Sequence, residues 1–476
     1  MSTLSTLFHV ILLIAVVVTV FNIIIFVHEL GHFWAAKWRG LQIDRFQIWF
    51  GKAIWKKKIN GVQYGLGWLP FGGFVALPQM APMEALEGEG EEGGPERTAL
   101  PPIQPLDKII VALAGPLFSM LLALLAAVLV WQVGKPADFI ATTEIGYVLS
   151  ESPAQKAGLR IGDKITEING APVHGFAGSL DSITERIILS RGQQITFTVE
   201  RSGESQPLRL SSGFETGKSR WFQRRGLRQI GIEPAAAVLI GAVVPNSPAA
   251  AAQLVKGDVI LTIDGKPLRS LSHFSQYLRE QNWKTVHLGI RTAAGGDRGV
   301  ELTPKRPLMP AGSDPMVGIQ WDASGEVDIR IVHPEPIRQV RDSLRMMWIT
   351  ITGVVARDSN IGVDHLSGPV GIAKMLYQLL QMENGWSRIL AFMVLFNVNL
   401  AVLNMLPFPV LDGGHITLAI LEKIFGRPVK ARPLEILQTF CALLLISLML
   451  FVTSKDIGND IGRSSRTRQE VVFPEN

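Results

Sequence analysis

Hydrophobic positions fall into two regimes along the chain. Four stretches are apolar almost without interruption: Leu7–Val27, Ile109–Trp131, Ile389–Met405 and Ile436–Val452. A helix needs about 20 apolar residues to cross the hydrocarbon core. The first two stretches therefore predict membrane-spanning helices, and the other two sit at the short limit. Between the second and third, residues 137–336 switch to short alternating runs such as Ile195–Glu200 and Val286–Arg291, the two-residue period of half-buried strands. The expected fold is a multi-pass α-helical membrane protein, with four transmembrane helices and a re-entrant β-hairpin, into which β-rich domains are inserted.

The inserted region is internally repeated. Ser152-Pro153-Ala154, Gly162-Asp163 and Ile168-Asn169-Gly170 recur as Ser247-Pro248-Ala249, Gly257-Asp258 and Ile263-Asp264-Gly265, each displaced by 95 residues. A constant offset with turn residues at matched places means two copies of one domain. They are expected at 137–215 and 226–306, each with a helical stretch, Leu180–Leu189 or Leu271–Glu280, before its alternating strand. The amphipathic run at 337–356, with Arg341, Arg345 and Trp348, is too short and too charged to span. It predicts a helix lying in the membrane interface. The membrane core is expected from residues 1–136 and 357–476.

Three features punctuate the core. Residues 61–77 are too apolar for a solvated loop, and strand-like runs flank Pro70 and Gly72-Gly73. This reads as a hairpin turning at those residues. Irregular backbone at membrane depth must be buried in protein or line a cavity, so the hairpin is expected to be re-entrant and near the functional site. Its edge could take an extended peptide as an added strand. Residues 84–105, rich in Glu, Gly and Pro, read as a linker. Ala114-Gly115-Pro116 places small residues inside the second span, where they allow close helix packing.

Charge sets the expected orientation. The segment after the first span carries Lys37, Arg39, Arg45, Lys52, Lys56, Lys57 and Lys58 against Asp44 alone, and the loop after the third carries Lys423, Arg427, Lys430 and Arg432. Positive loops face the cytoplasm. Both termini and the inserted domains then face outside, across the membrane from the positive loops. Arg463, Arg466 and Arg468 in the tail pull weakly the other way. No charged region or small-residue cleavage site precedes the first span, so that span is expected to be retained. The one cysteine, Cys441, excludes a disulfide framework and a cysteine metal site. The net charge of +5, without basic clusters among aromatics, gives no sign of nucleic-acid binding.

The chemistry sits at two places. His28-Glu29-Leu30-Gly31-His32 closes the first apolar run. If that helix continues through residue 37, His28 and His32 share one face and can hold Zn2+, with Glu29 as general base. Ionisable groups there are expensive and usually functional. The third span ends Asn404-Met405-Leu406-Pro407-Phe408-Pro409-Val410-Leu411-Asp412-Gly413-Gly414-His415. Pro407 and Pro409 break the helix, and Gly413-Gly414 suggest a tight, exposed turn. A carboxylate at that depth needs a partner, and Asp412 can be the third zinc ligand. An N-cap role is the plainer alternative for Asp412. His415 reads as a packing or supporting residue, and His365 has no evident role.

Taken together, His28-Glu29-x-x-His32, Gly115-Pro116 and Asn404-x-x-Pro407-x-Pro409-x-Leu411-Asp412-Gly413 resemble the site-2 protease family of intramembrane zinc metalloproteases (peptidase M50). The tandem repeat and the Leu366–Ile372 loop are similar to its bacterial branch, where such repeats are circularly permuted PDZ domains. The resemblance implies that His28, His32 and Asp412 bind zinc and that Glu29 is the catalytic base. It implies substrate-positioning roles for Asn404, Pro407, Pro409, Gly72 and Gly73. One position departs: the family's asparagine shortly after Gly-Pro is Ser119 here. The implied reaction is regulated intramembrane proteolysis of single-span membrane proteins, either anti-sigma factors after a first cut by a site-1-type protease or remnant signal peptides. Two other classes compete. A catalytically inactive PDZ membrane scaffold would not need Glu29 and three zinc ligands intact. A zinc transporter would need polar residues along several spans, which the second and fourth lack.

Overall fold

The computed structural model describes residues 3–80, 103–217, 219–309, 312–322, 328–426, 431–463 and 471–474. The expected acidic linker lies outside them up to residue 102, as do Arg427, Lys430, Arg466 and Arg468. The helices are α1 Thr3–Trp38, α2 Pro105–Val133, α3 Pro153–Lys156, α4 Ile183–Ile188, α5 Pro248–Ala251, α6 Leu271–Glu280, α7 Pro336–Val355, α8 Pro369–Gln381, α9 Gly385–Asn404, α10 Asp412–Phe425 and α11 Ala431–Arg463. Residues 1–135, 332–348 and 367–456 form one compact unit, and residues 136–331, 349–366 and 457–476 a second.

Stretches of α1, α2, α9 and α11 are long and apolar enough to cross a membrane. The third stops at Asn404, one residue before the expected Met405, and α1 runs past its apolar stretch to Trp38. In the first unit α2 is central, packing against α1, α9 and α10. Gly31 of α1 faces the Ala114 carbonyl, and any Cβ there would overlap it. Small residues let helix backbones touch where lipid offers no hydrophobic drive for association. Val17, Val20 and Ile24 of α1, Ala126 and Ala127 of α2, and Ile389, Met393 and Val394 of α9 form one buried cluster.

The segment after α1 is a sheet, and its turn differs from the expected one. Strand β1 Arg45–Ile59 joins β2 Val62–Ala76 through Asn60-Gly61, both at positive φ (49° and 87°). Asn-Gly is the strongest short hairpin signal because both residues tolerate that region. Pro70–Gly73 is instead a bend within β2. Arg45–Ile48 is matched to Gln63–Leu66 and also to Gly73–Ala76, so the bend carries β2 from one side of β1 to the other. Gly72, at φ 71°, lies where a side chain would strike the Phe50 ring. Among the described residues no further strand pairs with Gly73–Ala76.

The Leu366–Ile372 loop acquires a physical role. Gly368 and Gly371 donate their backbone N–H groups to Asp456 Oδ2, each at 3.0 Å. A carboxylate from α11 thus caps the N-terminus of α8, satisfying donors that a helix leaves unpaired. A side chain at Gly371 would overlap that carboxylate.

The second unit carries the repeat. Ser152 and Ser247 cap α3 and α5, accepting from Gln155 N and Ala250 N. Strands Lys164–Ile168 and Val259–Ile263 keep the 95-residue offset, and each pairs with the alternating strand read from the sequence. The domain ends differ from expectation. Ile232–Pro234, assigned above to the second copy, pairs with Ile145–Val148, and Ile230 is buried in the first core. Likewise Ile319–Trp321, beyond the expected end at 306, pairs with Val238–Val243. Each copy is therefore closed by a strand that follows its own repeat signature. Residues 357–366 also belong to this unit, not to the membrane core. Asp364 accepts from the Arg225 backbone N–H (2.9 Å) and guanidinium (2.8 Å). Burial pushes the Asp364 carboxyl up, but the Arg225 hydrogen bonds outweigh it and hold it well below the usual carboxylate range. His365 gains a role here: its ring bonds the Gly362 N–H and the Arg225 carbonyl.

Candidate metal centre

Because α1 stays helical to Trp38, His28 and His32 project from one face, one turn apart. The chain returns to them through Asp412. Helix α9 ends at Asn404, residues 405–411 form a short connection through Pro407 and Pro409, and α10 begins at Asp412. Leu411, not Asp412, occupies the N-cap, so the carboxylate is free to face the histidines. Gly413 and Gly414 are buried in this turn rather than exposed. A Cβ on either would strike the Met405 or Phe408 carbonyl, so the glycines serve close packing of α10 on the loop.

His28 Nε2 and His32 Nε2 lie 3.3 Å from Asp412 Oδ2 and Oδ1, respectively, and 3.4 Å from each other. Tetrahedral zinc ligands at their usual bond lengths stand about 3.3–3.4 Å apart. Asp412 Oδ2 is buried and has no hydrogen-bond partner. Such an orphaned oxygen is costly unless it faces a cation. Donor type, spacing and the orphaned oxygen all fit zinc, and these three residues are the one group among the described residues that could hold a metal in this way.

The surroundings orient the rings. His28 Nδ1 is 2.9 Å from Ser119 Oγ, and His32 Nδ1 is 2.9 Å from the Val111 carbonyl. Gly115 leaves the space His32 occupies, since a Cβ there would collide with His32 Nε2. Asn404 Nδ2 lies 3.1 Å from His28 Nε2. The centre opens into a cavity of about 730 Å³ lined by Glu29, Gly73–Leu77, Asn404 and His415. Gly73 sits tightly there, its missing Cβ 3.3 Å from Glu29 Cγ.

Of the residues expected from the sequence, His28, Glu29, His32, Asp412, Asn404 and Gly73 converge on this cavity. Gly72, Pro407 and Pro409 do not line it. Sequence reading missed Val111 and the contacts of Gly115 and Ser119 with the histidines. Their spacing of four places them on one face of α2, a signal recognisable only once that face is known to meet α1.

The chain is 28% identical to the regulator of sigma-E protease RseP of Salmonella typhimurium over 462 residues, covering 92% of this chain and 96% of the relative. It is also 28% identical to RseP of Escherichia coli K12 over 460 residues, covering 93% and 96%. Among solved structures, the PDZ domain of an SdrC-like protein from Listeria innocua aligns at 23% identity over 18% of this chain and 92% of that domain, with a TM-score of 0.16. The profile of Peptidase family M50 matches residues 15–448, which covers the whole metal centre, and the chain belongs to that family.

Proposed function

We propose that the chain is a zinc metalloendopeptidase that cleaves single-span membrane proteins within or at the edge of the bilayer. The observation that carries this reading is the convergence of His28, His32 and Asp412 at zinc-ligand spacing beside Glu29, on a cavity in the membrane unit. Zinc, when bound, supplies Lewis acidity for hydrolysis of a peptide bond. Glu29 accepts a proton from the attacking water and donates it to the leaving amine. Asn404 orients the substrate backbone. A substrate helix has its carbonyls already bonded and must unwind to present one. The unpaired edge at Gly73–Ala76 lines the cavity, which supports substrate binding as an added strand there. The re-entrant placement of β1–β2 belongs to the same reading.

The positive loops support a cytoplasmic position for the site, with both termini and the repeat facing the periplasm. The repeat reads as two PDZ modules that select substrates, by excluding bulky outer domains or capturing a trimmed end. The RseP relatives are named as regulators of sigma-E, which favours an anti-sigma factor, trimmed first by another protease, as substrate. An inactive scaffold is disfavoured because it has no use for Glu29 beside three intact donors. Incubation of the purified chain with single-span substrates, with and without a zinc chelator, tests the reading. Cleavage lost to chelator and restored by zinc is expected; cleavage indifferent to chelator would overturn it.

A further inference from the structure

We propose that Ser119 is a positioning residue for the metal centre: its hydroxyl accepts the Nδ1–H of His28 and so presents His28 Nε2 to the metal. The inference rests on the zinc reading above. One face of α2 meets the Nδ1 sides of both rings. Val111, Gly115 and Ser119 follow at spacings of four, and each meets a histidine of α1. The Val111 carbonyl, an acceptor only, admits just the Nδ1–H form of His32. Gly115 leaves room for the His32 ring edge. Ser119, fully buried, reaches His28 Nδ1 at 2.9 Å.

The two supports differ in kind. A carbonyl fixes the tautomer outright, whereas a hydroxyl can donate or accept and serves either tautomer of His28. His28 is therefore the ligand whose Nδ1 partner is a replaceable side chain. Histidine ligands generally donate their second N–H to such a partner, and losing it typically costs about 10–100-fold in metal affinity.

Thr and Val have nearly the same shape and differ by the hydroxyl, so the pair Ser119→Thr and Ser119→Val separates hydrogen bonding from crowding. The measurement is zinc affinity of the full-length protein in detergent, by competition with a chelator, alongside the visible absorption of the cobalt(II)-loaded form. Ser119→Thr is expected to hold zinc within a few-fold of the unaltered protein. Ser119→Val is expected to bind about 10–100-fold more weakly, with an altered cobalt spectrum. Equal affinity of Thr and Val variants would overturn the proposal. If both fold poorly, Ser119→Ala, which only removes atoms, takes their place, and unaltered affinity in it overturns the proposal equally. Absence of zinc binding by the unaltered protein would instead sink the underlying metal-centre reading.

Discussion

Gly115→Ala is the change whose effect the structure fixes most tightly. A Cβ at this position would overlap His32 Nε2, the donor atom itself. Ordinary contact between such atoms is about 3.5 Å. The ring must therefore withdraw by roughly 1 Å, several times the ~0.2 Å tolerance of a zinc–ligand distance. The Val111 bond on its other nitrogen resists that movement. The expected loss in zinc affinity is about 100-fold or more, ~2.7 kcal/mol. Helix propensity works the other way, since Ala is better than Gly by about 1 kcal/mol in a helix interior. A weakened centre in a helix that is not weakened is thus diagnostic. The assay is zinc retention against a competing chelator, with thermal unfolding in parallel. Unchanged zinc affinity in Gly115→Ala would refute the placement of His32 against α2.

Gly73→Ala sets a Cβ 3.1–3.3 Å from Ile25, the Gln47 carbonyl and Glu29. It should lower cleavage about tenfold while zinc content stays at one equivalent, since it crowds Glu29 and not His28, His32 or Asp412. Asp456→Ala strips two N–H groups at the start of α8 of their acceptor, so unfolding should become easier by about 1–2 kcal/mol in a thermal or denaturant scan. Arg225→Ala leaves Asp364 without its guanidinium, at a cost of about 1–2 kcal/mol near neutral pH. Because the folded Asp364 is held below its ordinary range, that contribution is present above the unfolded carboxyl value and lost as pH falls through the folded one. The stability gap between the unaltered chain and Arg225→Ala should therefore narrow in strong acid.

Much of the site was legible because membrane burial constrains sequence so strongly. Ionisable residues are rare at that depth, so His28, Glu29, His32 and Asp412 stood out against apolar runs. The repeat was legible because turn chemistry marks fixed positions. What was not legible depends on contacts distant in sequence. The Asn60-Gly61 turn is a two-residue signal at the edge of the apolar stretch 61–77, whose Pro70 and Gly72-Gly73 carry equally strong turn chemistry yet bend a strand instead. The closing strands Ile232–Pro234 and Ile319–Trp321 follow the motifs of their own copy, so motif spacing alone assigned the first to its neighbour. Ser119 and Gly115 acquire meaning only through the packing of α2 on α1, which no local pattern encodes.

In the proposed mechanism three residues hold zinc while a fourth moves the proton. Glu29→Gln separates those roles most directly, because it keeps shape and removes only the acceptor. Metal content and cleavage of a single-span substrate are measured on the same purified sample. One bound zinc and no detectable cleavage are expected. Cleavage near that of the unaltered chain, or loss of the zinc, would contradict that mechanism.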